Sequence, residues 1–390
     1  MRQVFLLLTI ILFVKTEIGG QMQIGVDEVI RVDVRRSYST KKELILQDFM
    51  DVEYIPLETN NDFLVQGSVE DVGKNFIIVR NNIHDGNIFI FDRNGKAVHR
   101  INRMGQGPGE YHAWSLTGGI KLDEDNNELF INSDGTQSII VYDLSGNFKR
   151  NMKNKERSDV LFKSQLTKSF YWNIFNYDKN NLICYDFFNK GIAFDLVSKQ
   201  NGEVTKEIHI PFKEKLFLRH RDATANPGIF TQPLLPYNGN WLLLEISSDT
   251  IFTLYPDHSL RPFIVRNPPI QTMDPKVFLV LRVMSNRYYF METAMISTVN
   301  DYPRKFFAYD TQEKSFLGYT VYNGDYTTKK ELYMNRFIPV GQDGVYWQRL
   351  WAHQLVEDYK KGILKGKLKE IAATLDEEDN PVIMLIKPKK

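Results

Sequence analysis

The segment FIIVRNNIHDGNIFIFDRNGKAVHRI, residues 76–101, contains three short apolar runs separated by two polar turns. The runs FIIV and IFIFD flank NNIHDGN, which contains an Asp-Gly pair, and RNGK separates IFIFD from AVHRI. Asp-Gly and Asn-Gly between β-branched or aromatic runs are the strongest short-range signals of β-hairpins. The segment therefore predicts three consecutive strands joined by tight turns.

The same order of strand, turn and strand recurs along the chain. It is found again in residues 128–152, 181–208, 241–264 and 305–322. The residues that close the second run of each unit are Asp92, Asp143, Asp195, Tyr255 and Asp310, and their spacings are 51, 52, 60 and 55. A repeat near 50 residues built of short strands is typical of a propeller blade.

Five repeats predict five blades, and the segments 337–350 and 380–389 predict a sixth. The early strand 51–59 has no blade of its own, so we expect it to complete the last blade and close the ring from both chain ends. The expected fold is an all-β, six-bladed β-propeller that forms one domain over residues 21–390. The alternative, a β-sandwich with a second domain, would need a linker, and no Pro/Gly/Ser-rich stretch interrupts the period.

Helical patterns are scarce. Residues 350–380 place apolar side chains at roughly helical spacing, with interruptions at Gly362 and Gly366, and they predict two short helices before the last strand. Residues 274–290 are interpreted as beginning with a short helix between blades.

The glycine-rich stretch at residues 105–111 invites comparison with a phosphate-binding loop. A Walker loop ends in Gly-Lys-Ser/Thr, whereas this one ends in Gly109-Glu110-Tyr111 and is followed by a strand-like segment. Pro108 also lacks a backbone donor. We interpret the stretch as a structural loop that crosses from one blade to the next, formed by Gly105, Gly107, Pro108, Gly109, Glu110 and Tyr111.

With its preceding residues 88–104, the stretch GQGPGEY resembles the hallmark of six-bladed β-propeller proteins abundant in Bacteroidetes, relatives of the NHL-repeat propellers. Residues 51–62 and 380–389 resemble the first and last strands of that family. The resemblance covers nearly the whole mature chain and implies the propeller fold and an exported location. It implies no active site, because the family has no established catalytic residues. Many members carry a lipid-anchor cysteine after the signal, and this chain departs from them there.

The charge balance excludes some classes of partner. Forty-nine basic and 48 acidic residues leave a net charge of +1, so there is no electrostatic footprint for nucleic acid. The single cysteine, Cys184, lies in an apolar run and is expected to be a buried small residue.

The N-terminus resembles a secretory signal. Arg2 precedes an apolar run of 11 residues, Val4 to Val14, which is too short to span a bilayer. We expect a signal peptide over residues 1–20 and an exported protein in the periplasm or at the cell surface. No cysteine follows the run, so no lipid anchor is expected. A buried N-terminal strand is the alternative.

Sequence motifs for catalysis or metal binding are lacking. None of the seven histidines forms HxH or HExxH, and there is no G-x-S-x-G. The acidic stretch DEDNNE at 123–128 lacks the glycine and distal glutamate of an EF-hand and is interpreted as a solvated turn. We therefore assign no catalytic residue, metal or cofactor.

Two sets of residues are candidates for ligand binding. Arg219, His220, Arg221 and Asp222 lie in the long connection 217–228, where the period lengthens to 60 residues. Trp172 and Trp347 lie in aromatic segments that suit stacking on sugars or peptides. The sequence favours a monomeric binding module that recognises a small ligand, glycan or protein on one face of the ring. The alternative is a lyase or hydrolase with an active site over the central channel.

The N-terminal signal is directly testable. Mass spectrometry of the mature protein from its native host should find an N-terminus between about residues 17 and 24, the usual length of a signal peptide. An intact Met1 in the cytoplasmic fraction would refute the interpretation.

Overall fold

The described part of the chain forms six separate sheets. A computed structural model describes residues 28–81, 85–111, 119–133, 136–156, 169, 171–189, 191–216, 232–295, 303–341 and 344–389. The predicted signal peptide lies outside these residues. In chain order the elements are β1 (Ile30–Asp33), β2 (Lys41–Ile45), α1 (Leu46–Phe49), β3 (Met50–Pro56), β4 (Ser68–Val72), β5 (Phe76–Arg80), β6 (Ile88–Asp92), β7 (Ala97–Ile101), β8 (Ile120–Asp123), β9 (Glu128–Ser133), β10 (Ser138–Tyr142), β11 (Phe148–Lys153), β12 (Tyr171–Asn176), β13 (Asn181–Asp186), β14 (Ile192–Ser198), β15 (Val204–His209), β16 (Leu234–Tyr237), β17 (Asn240–Leu243), β18 (Thr250–Leu254), β19 (Leu260–Asn267), β20 (Val277–Met284), β21 (Tyr288–Met295), β22 (Arg304–Asp310), β23 (Ser315–Tyr322), β24 (Glu331–Leu332), β25 (Ile338–Val340), β26 (Val345–Leu350), α2 (Ala352–Lys360), α3 (Gly366–Ala372) and β27 (Val382–Pro388).

The sheets are the blades of a propeller. Blades one to five are β4–β7, β8–β11, β12–β15, β16–β19 and β20–β23, and blade six combines β25, β26, β27 and β3. The first strands of neighbouring blades contact one another: β25 contacts β4, β4 contacts β8, and β8 contacts β12. The first strands therefore form the inner wall of the ring. The prediction of a six-bladed β-propeller is confirmed.

The apolar runs of the middle strands are explained by burial on both faces. In β5, Ile77 and Val79 pack toward blade six, whereas Ile78 packs toward blade two. In β6, Phe89 packs toward blade six and Ile90 packs toward blade two. Successive side chains of a strand point to opposite faces, and each face here meets another blade. The middle strands are therefore continuously hydrophobic, in contrast to strands with one solvated face.

Three of the four aspartates that mark the sequence repeat, Asp92, Asp143 and Asp310, begin turns between third and fourth strands, whereas Asp195 lies within β14. Asp92 Oδ1 accepts hydrogen bonds from the N–H groups of Asn94 (2.8 Å) and Lys96 (2.9 Å). Asp143 makes the equivalent pair of hydrogen bonds in blade two. Asp310 Oδ1 in blade five accepts from the N–H groups of Gln312 and Glu313, two and three residues on. An aspartate that accepts from the backbone two residues on stabilises a turn. This local chemistry explains why the repeat is visible in the sequence of blades one, two and five.

Strands from both chain ends close the ring, as predicted. β3 pairs antiparallel with β27, from Met50 opposite Pro388 to Pro56 opposite Val382. The predicted strand 51–59 is therefore the outer strand of the sixth blade.

Residues 28–49, which we call the N-terminal arm, form two strands that the sequence analysis did not predict. β1 pairs parallel with β19 at the outer edge of blade four, and β2 pairs parallel with β23 at the outer edge of blade five. Val32, Leu44 and Leu46 of the arm are buried in the core of these blades. The arm thus covers two sheet edges that would otherwise be exposed.

Two short helices, α2 and α3, lie between β26 and β27, as predicted. The helix expected at the start of 274–290 is wrong, because these residues contain the strands β20 and β21. A short apolar run such as VFLVLRVM does not distinguish a buried strand from a buried helix by periodicity. No helix in the described ranges has the length and apolar character needed to cross a membrane.

The loop at residues 105–111 is held by its own side chains. Glu110 Oε2 accepts a hydrogen bond from the Gly107 N–H at 2.7 Å. This backbone N–H is therefore already paired with a carboxylate of the loop itself. The Tyr111 ring is buried and its hydroxyl donates to the Gly86 carbonyl at 2.7 Å. Gly109 has a φ of +76°, and a Cβ there would lie 2.6 Å from the Phe148 ring. These contacts favour a structural role over anion binding.

The close approach at Gly109 leads to a stability prediction. Gly109→Ala should lower the free energy of unfolding by about 3 kcal/mol, since backbone strain and overpacking each cost about 1–3 kcal/mol. Gly239→Ala has a similar φ of +73° and no atom within 4 Å, so it should show the strain alone. Gly191→Ala also meets no atom within 4 Å and should be nearly neutral. Urea denaturation would measure all three, and equal losses at Gly109 and Gly239 would rule out a contribution from Phe148.

Candidate functional site

A cavity of about 1290 Å³ opens at the end of the ring where the first strands β4, β8 and β12 terminate. Its walls are the turns after these strands and the ring-closing strands β3 and β27. We call it the channel-mouth cavity. Seven acidic and five basic side chains line it: Asp51, Glu53, Asp71, Lys74, Arg93, Asp123, Glu124, Asp125, Asp178, Lys179, Lys199 and Lys387.

Asp71 is a buried junction between three blades. It lies at the end of β4 and is 4% exposed. Its Oδ1 accepts a hydrogen bond from the Gly341 N–H of blade six, and its Oδ2 accepts one from the Leu122 N–H of blade two, both at 2.9 Å. Hydrogen bonds to a buried carboxylate are strong. Asp71 therefore fixes the inner strand ends relative to one another.

A buried ion pair joins blades two and three in the cavity wall. Lys199 Nζ lies 2.8 Å from Asp123 Oδ2, and both side chains are almost fully buried. Burial raises the pKa of Asp123, but the hydrogen bonds from Lys199 and Asn126 outweigh burial and hold the pKa below its usual value. Asp123 is therefore a carboxylate at neutral pH and a poor proton donor.

Two further acidic side chains of the cavity, Glu124 and Glu53, are paired with other groups of the protein. Glu124 of blade two accepts hydrogen bonds from the N–H groups of Asn75 and Phe76 in blade one, each at 3.0 Å. Glu53 pairs with Arg93 at 2.6 Å. The stretch 123–128, interpreted from the sequence as a solvated turn, therefore links blades through its first two residues.

Five charged groups of the cavity are exposed and make no side-chain hydrogen bond or ion pair with any described residue. They are the carboxylates of Asp51 and Asp125 and the ammonium groups of Lys74, Lys179 and Lys387. These groups come from blades six, one, two and three. They are the charges of the cavity that a ligand can reach without breaking an internal contact.

The described residues contain no group of three His, Cys, Asp or Glu side chains arranged to hold a metal ion. The described residues that line the cavity include no Ser, Thr, Cys, His or aromatic side chain. Cys184, expected to be buried, is fully buried in blade three.

The predicted ligand residues Arg219, His220, Arg221 and Asp222 lie outside the described residues. The described residues just before them are fixed at the junction of blades three and four. Lys215 Nζ lies 2.6 Å from Glu245 Oε2, both side chains being buried, and it also contacts the Tyr185 hydroxyl at 3.2 Å. The role of the loop 217–228 stays a prediction.

The two predicted tryptophans lie in different surroundings. Trp347 is 4% exposed and packs in the core between blades six and one, so it offers little surface to a ligand. Trp172 is partly exposed and stacks on Phe187, with ring centroids 5.0 Å apart. A ligand-binding role for either residue is a prediction that these positions do not test.

Sequence reasoning missed the residues of the channel-mouth cavity. Their signal is the set of polar turns VGKN (72–75), DEDNN (123–127) and YDKNN (177–181), each of which follows the first strand of a blade. Alignment of the repeats on their first strands would have grouped these turns at one end of the ring.

The buried pair gives a test by acid denaturation. Asp123→Asn leaves Lys199 buried without its partner and should lower the free energy of unfolding at pH 7 by about 3 kcal/mol. Because the folded-state pKa of Asp123 is lowered, its contribution is present above the unfolded pKa of about 4 and is lost as the pH falls through the folded value. The difference in the free energy of unfolding between wild type and variant, measured by urea denaturation, should therefore become smaller below about pH 4. Glu377→Gln, in an exposed pair with Lys360, is the control and should leave the free energy of unfolding nearly unchanged at any pH.

Several solved structures are similar to this chain. A candidate exported protein from Bacteroides fragilis matches with a TM-score of 0.58 at 14% identity, covering 90% of this chain and 99% of its own. A member of the DUF4221 family from Bacteroides vulgatus matches with a TM-score of 0.48 at 13% identity, covering 88% and 99%. Virginiamycin B lyase from Staphylococcus aureus matches at 0.39 and 9% identity, covering 87% and 100%. At 14% identity, the likeness to the Bacteroides fragilis protein concerns the fold alone.

Among curated protein sequences, none is significantly similar to this chain. A family model described as a domain of unknown function, DUF4934, matches residues 29–387, from the N-terminal arm to the last strand. The Bacteroidetes propeller family identified from the GQGPGEY stretch is consistent with this match. The chain belongs to the DUF4934 family.

Proposed function

We propose that the protein is an exported binding protein whose ligand enters the channel-mouth cavity. The proposal rests on one observation: some charged side chains of the cavity are held by contacts within the protein, and others are not. Asp71, Asp123 and Glu124 are held by contacts between blades, whereas five other charged groups remain available. A volume of about 1290 Å³ exceeds the roughly 300–1,000 Å³ of most small-molecule sites, so a segment of a larger molecule would fit.

The chemistry of the cavity favours a ligand with charges of both signs. Asp51 and Asp125 would attract cationic groups, and Lys74, Lys179 and Lys387 would attract anionic groups. The described lining has no aromatic side chain on which a sugar ring could stack. A polypeptide segment with acidic and basic side chains fits this pattern better than a neutral glycan does.

The cavity favours binding over the alternative of a lyase or hydrolase. Its described residues include no Ser, Thr, Cys, His or Tyr, so the nucleophile or general base of an enzyme would have to be a carboxylate or a lysine. Asp123 is held as a carboxylate by Lys199. Export is supported by the apolar run after Arg2, and the Bacteroides fragilis protein of the same fold is itself a candidate exported protein.

Synthetic peptides of 12 residues test the proposal directly. Four sets would be titrated against the mature protein by fluorescence polarisation: mixed-charge, all-acidic, all-basic and neutral. We expect the mixed-charge set to bind most tightly. The triple variant Asp51→Asn/Asp125→Asn/Lys179→Gln should weaken that binding at least about tenfold, since hydrogen bonds to charged groups contribute about 1.5–3 kcal/mol each.

A matched control removes the same number of exposed charges away from the cavity. Asp48→Asn/Glu378→Gln/Lys41→Gln carries two acidic and one basic replacement and should bind the mixed-charge peptides as wild type does. Both triple variants should keep the wild-type melting temperature, because none of the replaced side chains is buried. Equal binding by the two triple variants, or a preference for neutral peptides, would contradict the proposal.

A further inference from the structure

The opposite end of blade three carries a cluster of three partly exposed aromatic side chains. The Trp172 ring stacks on Phe187 at 5.0 Å with an interplanar angle of 29°, and Phe187 meets Phe188 edge to face at 4.9 Å. Trp172 lies near the start of β12, whereas Asn176 at the other end lines the channel-mouth cavity. Four residues of strand separate the two positions by about 13 Å. The cluster is therefore distinct from the cavity.

A β-bulge presents Trp172 at this position. The register between β12 and β13 shifts there, because Tyr171 pairs with Asp186 and Asn173 pairs with Tyr185. Tyr171 and Ile174 are buried, whereas the consecutive residues Trp172 and Asn173 are both partly exposed. A bulge redirects side chains locally and is common next to binding sites. Regular alternation would expose only one of the two.

Two asparagines that follow Trp172 and Phe188 in the chain have unused hydrogen-bonding capacity. Asn173 Oδ1 and Asn189 Nδ2 are buried atoms without a hydrogen-bond partner among the described residues. The Asn189 amide is fixed, because its Oδ1 accepts from the N–H groups of Gly191 (2.9 Å) and Ile192 (2.8 Å). Buried polar atoms without partners are rare, and each needs an explanation such as a bound ligand or ordered water.

We propose that Trp172, Phe187, Phe188, Asn173 and Asn189 form a second binding site, which takes a neutral sugar residue of an oligosaccharide. Flat aromatic rings offer stacking area to the apolar face of a sugar. The amides can accept from and donate to its hydroxyl groups. The buried carboxylate of Asp186, next to Phe187 in the chain, disfavours an acidic sugar.

Oligosaccharide titration of the full mature protein tests the site. The probes are neutral hexasaccharides of glucose, xylose and mannose, with hexagalacturonate as the acidic comparison, followed by tryptophan fluorescence and calorimetry. At least one neutral probe should bind with a Kd below roughly 1 mM, and hexagalacturonate should bind at least about tenfold more weakly. Trp172→Ala should reduce binding of the neutral probe at least about tenfold, and Asn173→Ala several-fold.

Three controls keep the outcomes separate. Trp172→Phe retains a ring and should keep most of the binding, which guards against misfolding of the alanine variant. Trp351→Ala removes an exposed tryptophan elsewhere and should have no effect. The triple variant of the channel-mouth cavity should bind the sugar normally, so this site can fail while the cavity proposal stands. Failure of all the neutral probes to bind, or unchanged binding by Trp172→Ala, would overturn the proposal.

Discussion

The pairing of β3 with β27 is the constraint on which the rest of the structure depends. It joins residues 50–56 to residues 382–388 and so converts a row of sheets into a closed ring. Closing so long a loop has an entropic cost, which the buried contacts of the sixth blade offset. Ile55, Ile383 and Leu385 of the two strands pack with Ile77 and Phe89 of blade one. The same two strands place Asp51, Glu53 and Lys387 in the wall of the cavity. The pairing that closes the ring therefore also forms part of the cavity.

Polar contacts at the junctions of the blades complement this closure. The apolar faces of the blades are similar to one another, and hydrophobic burial is not directional. Asp71, the pair of Asp123 with Lys199, and the pair of Lys215 with Glu245 each join specific neighbours. Buried ion pairs are weak evidence for stability, but they are costly to break on one side. We interpret them as contacts that set the relative positions of neighbouring blades.

The two ends of the ring carry different side chains, because different turns connect the strands at each end. At the cavity end, the turns after the first strands carry Asp125, Lys74 and Lys179. At the other end, blade three presents the aromatic and amide groups around Trp172. This difference is the reason why we propose sites for two different classes of ligand. The two strands of the N-terminal arm lie along the outer edges of blades four and five, away from the inner strands.

The sequence by itself determined the number of blades, because the short apolar runs of the strands and the aspartate turns at Asp92, Asp143 and Asp310 are set by interactions within a few residues. It also placed the closing strand 51–59 and the helices before β27. It did not reveal β1 and β2, which are short and pair in parallel with distant strands, without a local turn as a signal. Only the tertiary structure decided which charges are paired. Asp123 meets Lys199 across two blades while Asp125 stays exposed, and no local pattern separates the two, since side-chain partners depend on how the closed ring brings distant turns together.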